Sequence, residues 1–350
     1  MSAFRFERET SEWVAKDNDG NKVELPKCER KTRDELTFDE FRTDYLERNR
    51  PVIIEGGVNW PTARSKWGRA FLKREFGDKR QHVKLGRNGI FEGPARRDLW
   101  GDAVKNELPQ FVRDKLDFPE LVMERPGSVE LSIGEIVDMF QNKTRNPATD
   151  EWISAYIEYT PMSNHFDQLK SDLPEPEYFR QLELLHQNIW IGDGQTLGKL
   201  HFDEYENALA VVKGVKEVIM FDPRQNANLY EGHLPEARFT VEHLADKNSF
   251  NLIRSGLLES TSMVMSPVDI LSPDYETFPK FKNAKPIVCR VEAGDVLFLP
   301  SFWWHEVQSH PDPDEMINIA VNFWYRPFFT KDFPCPECEL ELNPAYRELL

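Results

Sequence analysis

A mainly β fold, a double-sheet jelly roll with helices added on its N-terminal side, is what this sequence predicts, and three observations predict it. From Glu151 onward the chain breaks into short runs of β-branched and aromatic residues separated by glycine- or proline-bearing turns. Aromatics make up 12% of the chain and prolines number 24, which suits a sheet-built core joined by irregular loops. Before Glu151 the apolar residues fall at helical spacing in several stretches.

In order along the chain, residues 1–35 are polar and charged and form a lead-in segment with little core of its own. Leu36 to Arg48 is a predicted helix, with Thr37 placed to cap it and Phe38, Phe41, Tyr45 and Leu46 at helical spacing. Arg50-Pro51-Val-Ile-Ile-Glu-Gly is a short strand after a proline, and residues 62–76 make a second helix that ends near Gly77. Residues 81–130 are mixed and give no clear element. Ser132 opens a capping box with Glu135 and starts a helix that runs to Gln141. Strands are predicted over 152–159, 187–191, 200–202 and 207–212, after which Lys213-Gly214 turns tightly into a strand over 215–221. Residues 223–265 read as a long irregular stretch with a helix at 240–247. The last strands cover 287–291, 296–299 and 317–325.

The 350 residues carry 60 acidic and 44 basic side chains, a net charge of −16 at pH 7. Such a surface repels phosphate backbones and argues against a nucleic-acid partner. No run approaches the roughly 18 apolar residues of a membrane-spanning helix, and the start, Met-Ser-Ala-Phe-Arg-Phe-Glu-Arg-Glu, lacks the apolar centre of a secretory signal. Cys28, Cys289, Cys335 and Cys338 show no disulfide-framework spacing, so a reducing compartment, cytoplasm or nucleus, is expected. Cys335-Pro-Glu-Cys338 is half a zinc site without a second pair, and a surface turn is the better reading.

The chemistry sits in His201-Phe202-Asp203 and, far along the chain, His305. On a strand, side chains repeat every two residues, so His201 and Asp203 point to one side. Two imidazoles and one carboxylate on one face make the facial triad of non-haem iron(II) oxygenases, whose open positions accept a bidentate 2-keto acid and O2. A chance His-x-Asp is common, and a histidine after two tryptophans is often a packing residue, so the surroundings decide. Lys216 lies beside Val215 and close to the run Val218-Ile-Met-Phe221, where an ammonium is costly to bury without an anion. The distal carboxylate of 2-oxoglutarate is such an anion, and a lysine reaching solvent from an edge strand is the alternative. Asn318, Asn322 and Trp324 share one face of the last strand, and asparagines on an apolar strand need partners.

Four stretches in order resemble the JmjC hydroxylases. They are His201-Phe-Asp-Glu-Tyr-Glu-Asn207 through Lys213-Gly-Val-Lys216, Ser272-Pro-Asp-Tyr-Glu-Thr-Phe-Pro279, Ala293-Gly-Asp-Val-Leu-Phe-Leu-Pro-Ser-Phe-Trp-Trp-His305, and Val321-Asn-Phe-Trp-Tyr325. The chain is similar to the small JmjC lysyl hydroxylases, to the asparaginyl hydroxylase acting on hypoxia-inducible factor, and to the tRNA wybutosine hydroxylase. The likeness is strongest over about residues 150–326 and weaker from Arg50 and Trp60-Pro61. It implies a cupin (double-stranded β-helix) core in one oxygenase domain over 36–330, with a short tail over 331–350. It also implies iron(II), 2-oxoglutarate as cosubstrate and O2. His201, Asp203 and His305 match the iron ligands, and Lys216 and Tyr156 match the groups that hold the distal carboxylate. Asn207 and Asn322 match polar residues of the cosubstrate pocket, with Trp324 beside them. Gly198 stands where the family often carries threonine, and Thr196 is the candidate replacement. The tail is shorter than the helical pair with which the asparaginyl enzyme dimerises, so a homodimer of that kind is left open.

The resemblance implies a protein or peptide substrate, hydroxylated on a side chain, with lysine favoured. A tRNA base is the rival, opposed by the charge of −16. A histone or protein lysine demethylase usually carries zinc-binding reader modules that four cysteines cannot build. A non-catalytic cupin scaffold would have no need to keep the triad together with Lys216.

Overall fold

The computed structural model describes residues 4–9, 12–17, 19–104, 108–142, 145–146, 149–244, 250–262, 265–330 and 340–349. Nine strands carry the centre of the molecule: β1 (Ile153–Pro161), β2 (Leu184–Gly192), β3 (Leu197–His201), β4 (Glu206–Lys213), β5 (Val215–Phe221), β6 (Ile287–Val291), β7 (Val296–Leu299), β8 (Trp304–His310) and β9 (Asn318–Tyr325). One sheet has the antiparallel order β1-β2-β9-β4-β7. The other has the antiparallel order β3-β8-β5-β6. The chain passes repeatedly from one sheet to the other, as a jelly roll requires. A hairpin of Arg80–Arg87 and Ile90–Arg96 closes one side, its first arm antiparallel to β1 and its second parallel to β3.

Alternation along the strands decides which side chains enter the space between the sheets. In β4, Ala208, Ala210 and Val212 join the outer core with Phe41, Trp60 and Trp67, while Leu209 and Val211 belong to an inner cluster with Val218, Met220 and Leu297. In β5, Ile219 and Phe221 pack on the outer face of the smaller sheet, in the cluster that contains Phe202 and Trp304. Lys216 is therefore in phase with the inward Val218 and Met220. Asn207 is in phase with Leu209, and Asn322 with Ala320.

Several expected elements differ in detail. The helix expected over 36–48 is one turn, Phe38–Phe41, capped by the Thr37 hydroxyl, followed by a wider turn over Arg42–Leu46. The helix expected over 62–76 breaks at Trp67-Gly68 into Pro61–Lys66 and Arg69–Phe76. The capping box stands as expected: the Glu135 carboxylate accepts from Ser132 N, and Ser132 Oγ accepts from Glu135 N, at the start of Ile133–Asn142. The described part of the mixed region holds strands and short helical turns: Arg97–Val104 and Gln110–Arg113 follow the closing hairpin, and Leu121–Arg125 and Gly127–Ser132 follow them.

Residues 240–243 of the helix expected at 240–247 form a strand instead, and 245–247 lie outside the described residues. Leu234–His243 is a strand that pairs antiparallel with Phe250–Ser262. Local spacing favoured a helix, and tertiary packing overrode it: a Cβ on Gly127 would lie 2.6 Å from Val241 Cγ2, so a strand fits flat against a residue without a side chain. The lead-in also contributes more than expected. Ala15 and Leu25 are buried in the core outside the smaller sheet, and Arg30–Thr32 runs parallel to Val52–Glu55 at the edge of the larger one. Cys28 and Cys289, 261 residues apart, are paired as a disulfide with Cα atoms 4.8 Å apart, a bond the spacing did not suggest. Cys335 and Cys338 lie outside the described residues.

The segment that leads to His305 is held by a buried carboxylate. Glu206 is 1% exposed and accepts from Ser301 N at 3.0 Å, Ser301 Oγ at 3.1 Å and Phe328 N at 2.9 Å. Glu206→Ala leaves these donors dry and unpaired, and is expected to cost about 3 kcal/mol, read from chemical denaturation. A loss below about 1 kcal/mol would mean that water replaces the carboxylate.

Candidate active site

His201 closes β3 and lies directly across from His305 on β8 in the strand register. Their ring centroids are 4.2 Å apart, and His305 Nε2 is 3.6 Å from Asp203 Oδ2. One ligand atom from each of His201, Asp203 and His305 falls within 4.8 Å of the others. Each ring is oriented by its own strand: His201 Nδ1 is 2.6 Å from Lys199 O, and His305 Nδ1 is 2.9 Å from Trp303 O. A proton on Nδ1 donates to the carbonyl in each case, which leaves both Nε2 lone pairs directed at the common point. Asp203 is placed by its backbone, whose carbonyl accepts from Phe302 N at 2.8 Å.

Burial, opposed in part by His201, pushes the Asp203 carboxyl above its usual range, and burial also holds the His305 imidazole well below its own. A neutral His305 imidazole and an Asp203 carboxyl costly to ionise in isolation belong to a donor set that a divalent cation completes. Two nitrogens and one carboxylate oxygen on one face suit iron(II).

The three residues line one cavity of about 790 Å³, open mouth included, together with Tyr156, Asn207, Lys216, Asn322 and Trp324. Lys216 is 2% exposed and donates to Ser309 Oγ at 2.7 Å and Tyr156 Oη at 3.2 Å. Burial lowers the Lys216 ammonium to about 7. Asn322 Oδ1 accepts from Trp190 Nε1 at 2.8 Å, while Asn322 Nδ2, Asn207 Oδ1 and Trp324 Nε1 have no partner among the described residues. An ammonium and two N–H donors, all buried and all lining the cavity that holds the triad, match the acceptor oxygens of 2-oxoglutarate.

The structure thus brings together all eight residues expected at the site. It moves Asn318 elsewhere: Asn318 Nδ2 donates to Val215 O and His310 O, each at 3.1 Å, and braces the β4–β5 turn. Thr196 lines the cavity, as its candidacy to replace a threonine at 198 required, and its Oγ1 is 2.6 Å from Ser309 Oγ. Ser309, Glu92, Glu158 and Tyr159 were missed. Ser309 was within reach of the sequence, since 305, 307 and 309 share one face of a strand. Glu92 was not, because it comes from a strand in the unparsed 81–130 stretch.

A family model described as a cupin-like domain matches residues 38–331. The chain is 27% identical over 303 residues to JmjC domain-containing protein E of Dictyostelium discoideum, covering 82% of this chain and 80% of that protein. It is 25% identical over 316 residues to the human bifunctional peptidase and (3S)-lysyl hydroxylase JMJD7, covering 89% and 84%. It is 27% identical over 307 residues to tRNA wybutosine-synthesizing protein 5 of Gallus gallus, covering 86% and 78%. The chain belongs to the cupin-like domain family, in its JmjC group.

Proposed function

We propose that this chain is an iron(II)- and 2-oxoglutarate-dependent oxygenase that hydroxylates a protein side chain, lysine first among its targets. One observation carries the class: the His201–Asp203–His305 face and the Lys216 ammonium, which has no carboxylate partner among the described residues, line the same cavity. When bound, iron(II) couples O2 reduction to conversion of 2-oxoglutarate into succinate and CO2 and to hydroxylation of a substrate C–H bond. The chain's own groups bind and shield. Lys216 and Tyr156 hold the distal carboxylate by charge-assisted hydrogen bonds, Asn207, Asn322 and Trp324 supply polar edges, and Phe91, Leu209, Leu299 and Val307 keep the walls dry.

The lysyl reading is supported by the name of the human relative and by the carboxyl group of Glu158 in the cavity wall. The wybutosine protein of Gallus gallus keeps a tRNA base as the second reading, opposed by Glu158 and the charge of −16. Succinate formation with iron(II) and 2-oxoglutarate tests both, using wild type and His201→Ala against lysine-bearing peptides, methyl-lysine peptides and tRNA. Wild type is expected to oxygenate a peptide and to leave tRNA unchanged. A wild type that binds neither iron nor 2-oxoglutarate ends the proposal.

A further inference from the structure

The backbone departs from regular strand geometry at the mouth of the cavity. β1 and β2 stay in register at Ile157–Ile191 and resume at Thr160–Ile189, so Glu158 and Tyr159 together oppose the single residue Trp190. Tyr159 has φ of 48°, the left-handed region that a bulky residue adopts at a cost of about 1 kcal/mol or more. Consecutive residues of a regular strand point to opposite faces. The bulge cancels that alternation, and both Glu158 and Tyr159 line the cavity with the iron-ligand residues. Bulges re-aim side chains next to active sites, and strain of this kind persists where a function holds it.

Glu158 is in phase with Tyr156 and would face the cavity in a regular strand; what the bulge adds is the ring of Tyr159, turned to the same side. The Tyr159 ring lies 4.5 Å from Trp190 and 5.6 Å from Trp324, and Tyr205 stacks on Trp324 at 4.7 Å. The neighbouring Glu92 is committed to Arg125, which also holds Glu236. The Glu158 carboxylate, by contrast, has no hydrogen bond or ion pair among the described residues. We infer that Glu158, which shares the cavity wall with Trp190, Trp324 and the Tyr159 ring that the bulge turns inward, is the specificity residue that receives a cationic side chain, an ammonium or guanidinium, from a protein substrate. This rests on the hydroxylase reading and deepens it. Aromatic faces attract a cation through their quadrupole, and a partly desolvated carboxylate supplies the counter-charge. Burial and the nearby Glu92, offset by Lys84 and Arg125, push Glu158 up to about 8, which is the behaviour of a carboxyl whose cation arrives with the ligand.

The test uses pools of peptides with randomised flanks and a fixed central lysine, arginine, norleucine or glutamate. Affinity is measured by fluorescence polarisation on the full chain loaded with manganese(II) and 2-oxoglutarate, so that no turnover is needed. Oxygen incorporation is measured separately by mass spectrometry on the iron-loaded chain. Wild type is expected to bind the lysine or arginine pool at least about tenfold more tightly than the norleucine pool. Glu158→Gln is expected to erase that preference while it keeps its affinity for norleucine. Glu158→Asp should restore part of it, and Glu158→Lys should favour the glutamate pool. A wild type indifferent to charge, or a Glu158→Gln variant that still prefers lysine, overturns the inference and leaves the oxygenase reading standing. A chain that prefers lysine through Glu158 and yet converts no 2-oxoglutarate supports the inference and overturns the reading.

Discussion

His201→Ala and Asp203→Asn are each expected to lower 2-oxoglutarate turnover by on the order of a thousandfold, while the fold stays intact. Both remove a donor from a set whose atoms lie within 4.8 Å of one another, and neither takes away a hydrogen bond that the core needs. His201 Nδ1 meets the Lys199 carbonyl of its own strand, and the Asp203 carboxyl is already held above its usual range by burial. Replacing that carboxylate with an amide of the same shape therefore costs the metal-free protein little. The separating measurement is the melting temperature with and without iron(II) or manganese(II) under anaerobic conditions. Metal at a hundredfold excess over its dissociation constant stabilises wild type by about 2.7 kcal/mol, and the variants should show almost none of this. If His201→Ala kept the full metal-dependent shift, the ion would be bound elsewhere and the triad would be a packing feature.

Much of this site could be read before any coordinates, and the reason is periodicity. His201 and Asp203 are two apart, Lys216 lies in phase with Val218 and Met220, and Asn207 and Asn322 lie in phase with inward apolar neighbours, so a strand assignment alone fixes where they point. Ser309 and Glu158, in phase with His305 and Tyr156, were legible on the same ground, whereas Tyr159 and Glu92 depend on a departure from periodicity or on long-range pairing. Tyr159 would face away from the cavity in a regular strand, and the bulge opposite Trp190 turns it inward. Glu92 arrives through a parallel pairing of Ile90–Arg96 with β3, a strand about a hundred residues away in sequence. Residues 240–243, expected at the start of a helix, end the strand Leu234–His243, where pairing with Phe250–Ser262 and the fit against Gly127 decide otherwise. Asn318 has the right phase but sits at the β4–β5 turn, where two carbonyls claim its amide.

Lys216→Met is expected to raise the KM for 2-oxoglutarate by about a hundredfold or more and, at neutral pH, to make the metal-free protein more stable. The two effects share one cause. The ammonium is buried beside two neutral hydroxyl groups, those of Ser309 and Tyr156, so the fold bears a desolvation penalty that the cosubstrate carboxylate would relieve. Methionine fills the same space without the charge, which removes both the penalty and the anion's partner. The pH dependence gives the sharper check. Burial lowers Lys216 from 10.5 to about 7 in the fold, so between about 7 and about 10.5 the unfolded chain binds the extra proton. Stability from this group therefore rises with pH across that window. Affinity for 2-oxoglutarate must move the other way and fall by about tenfold per unit above 7 as the free ammonium loses its proton. Glu306 and Glu158, pushed up by burial to about 7 and about 8, cost stability as pH rises from 4.5 toward those values, so Glu306 acts below the Lys216 window and only Glu158 opposes Lys216, between about 7 and about 8. The difference between wild type and Lys216→Met isolates the lysine: its stability slope should be positive above 7, and the variant's weak 2-oxoglutarate binding should be flat with pH. A wild-type affinity that stays constant or climbs from pH 7 to pH 9 would show that no buried ammonium receives the cosubstrate.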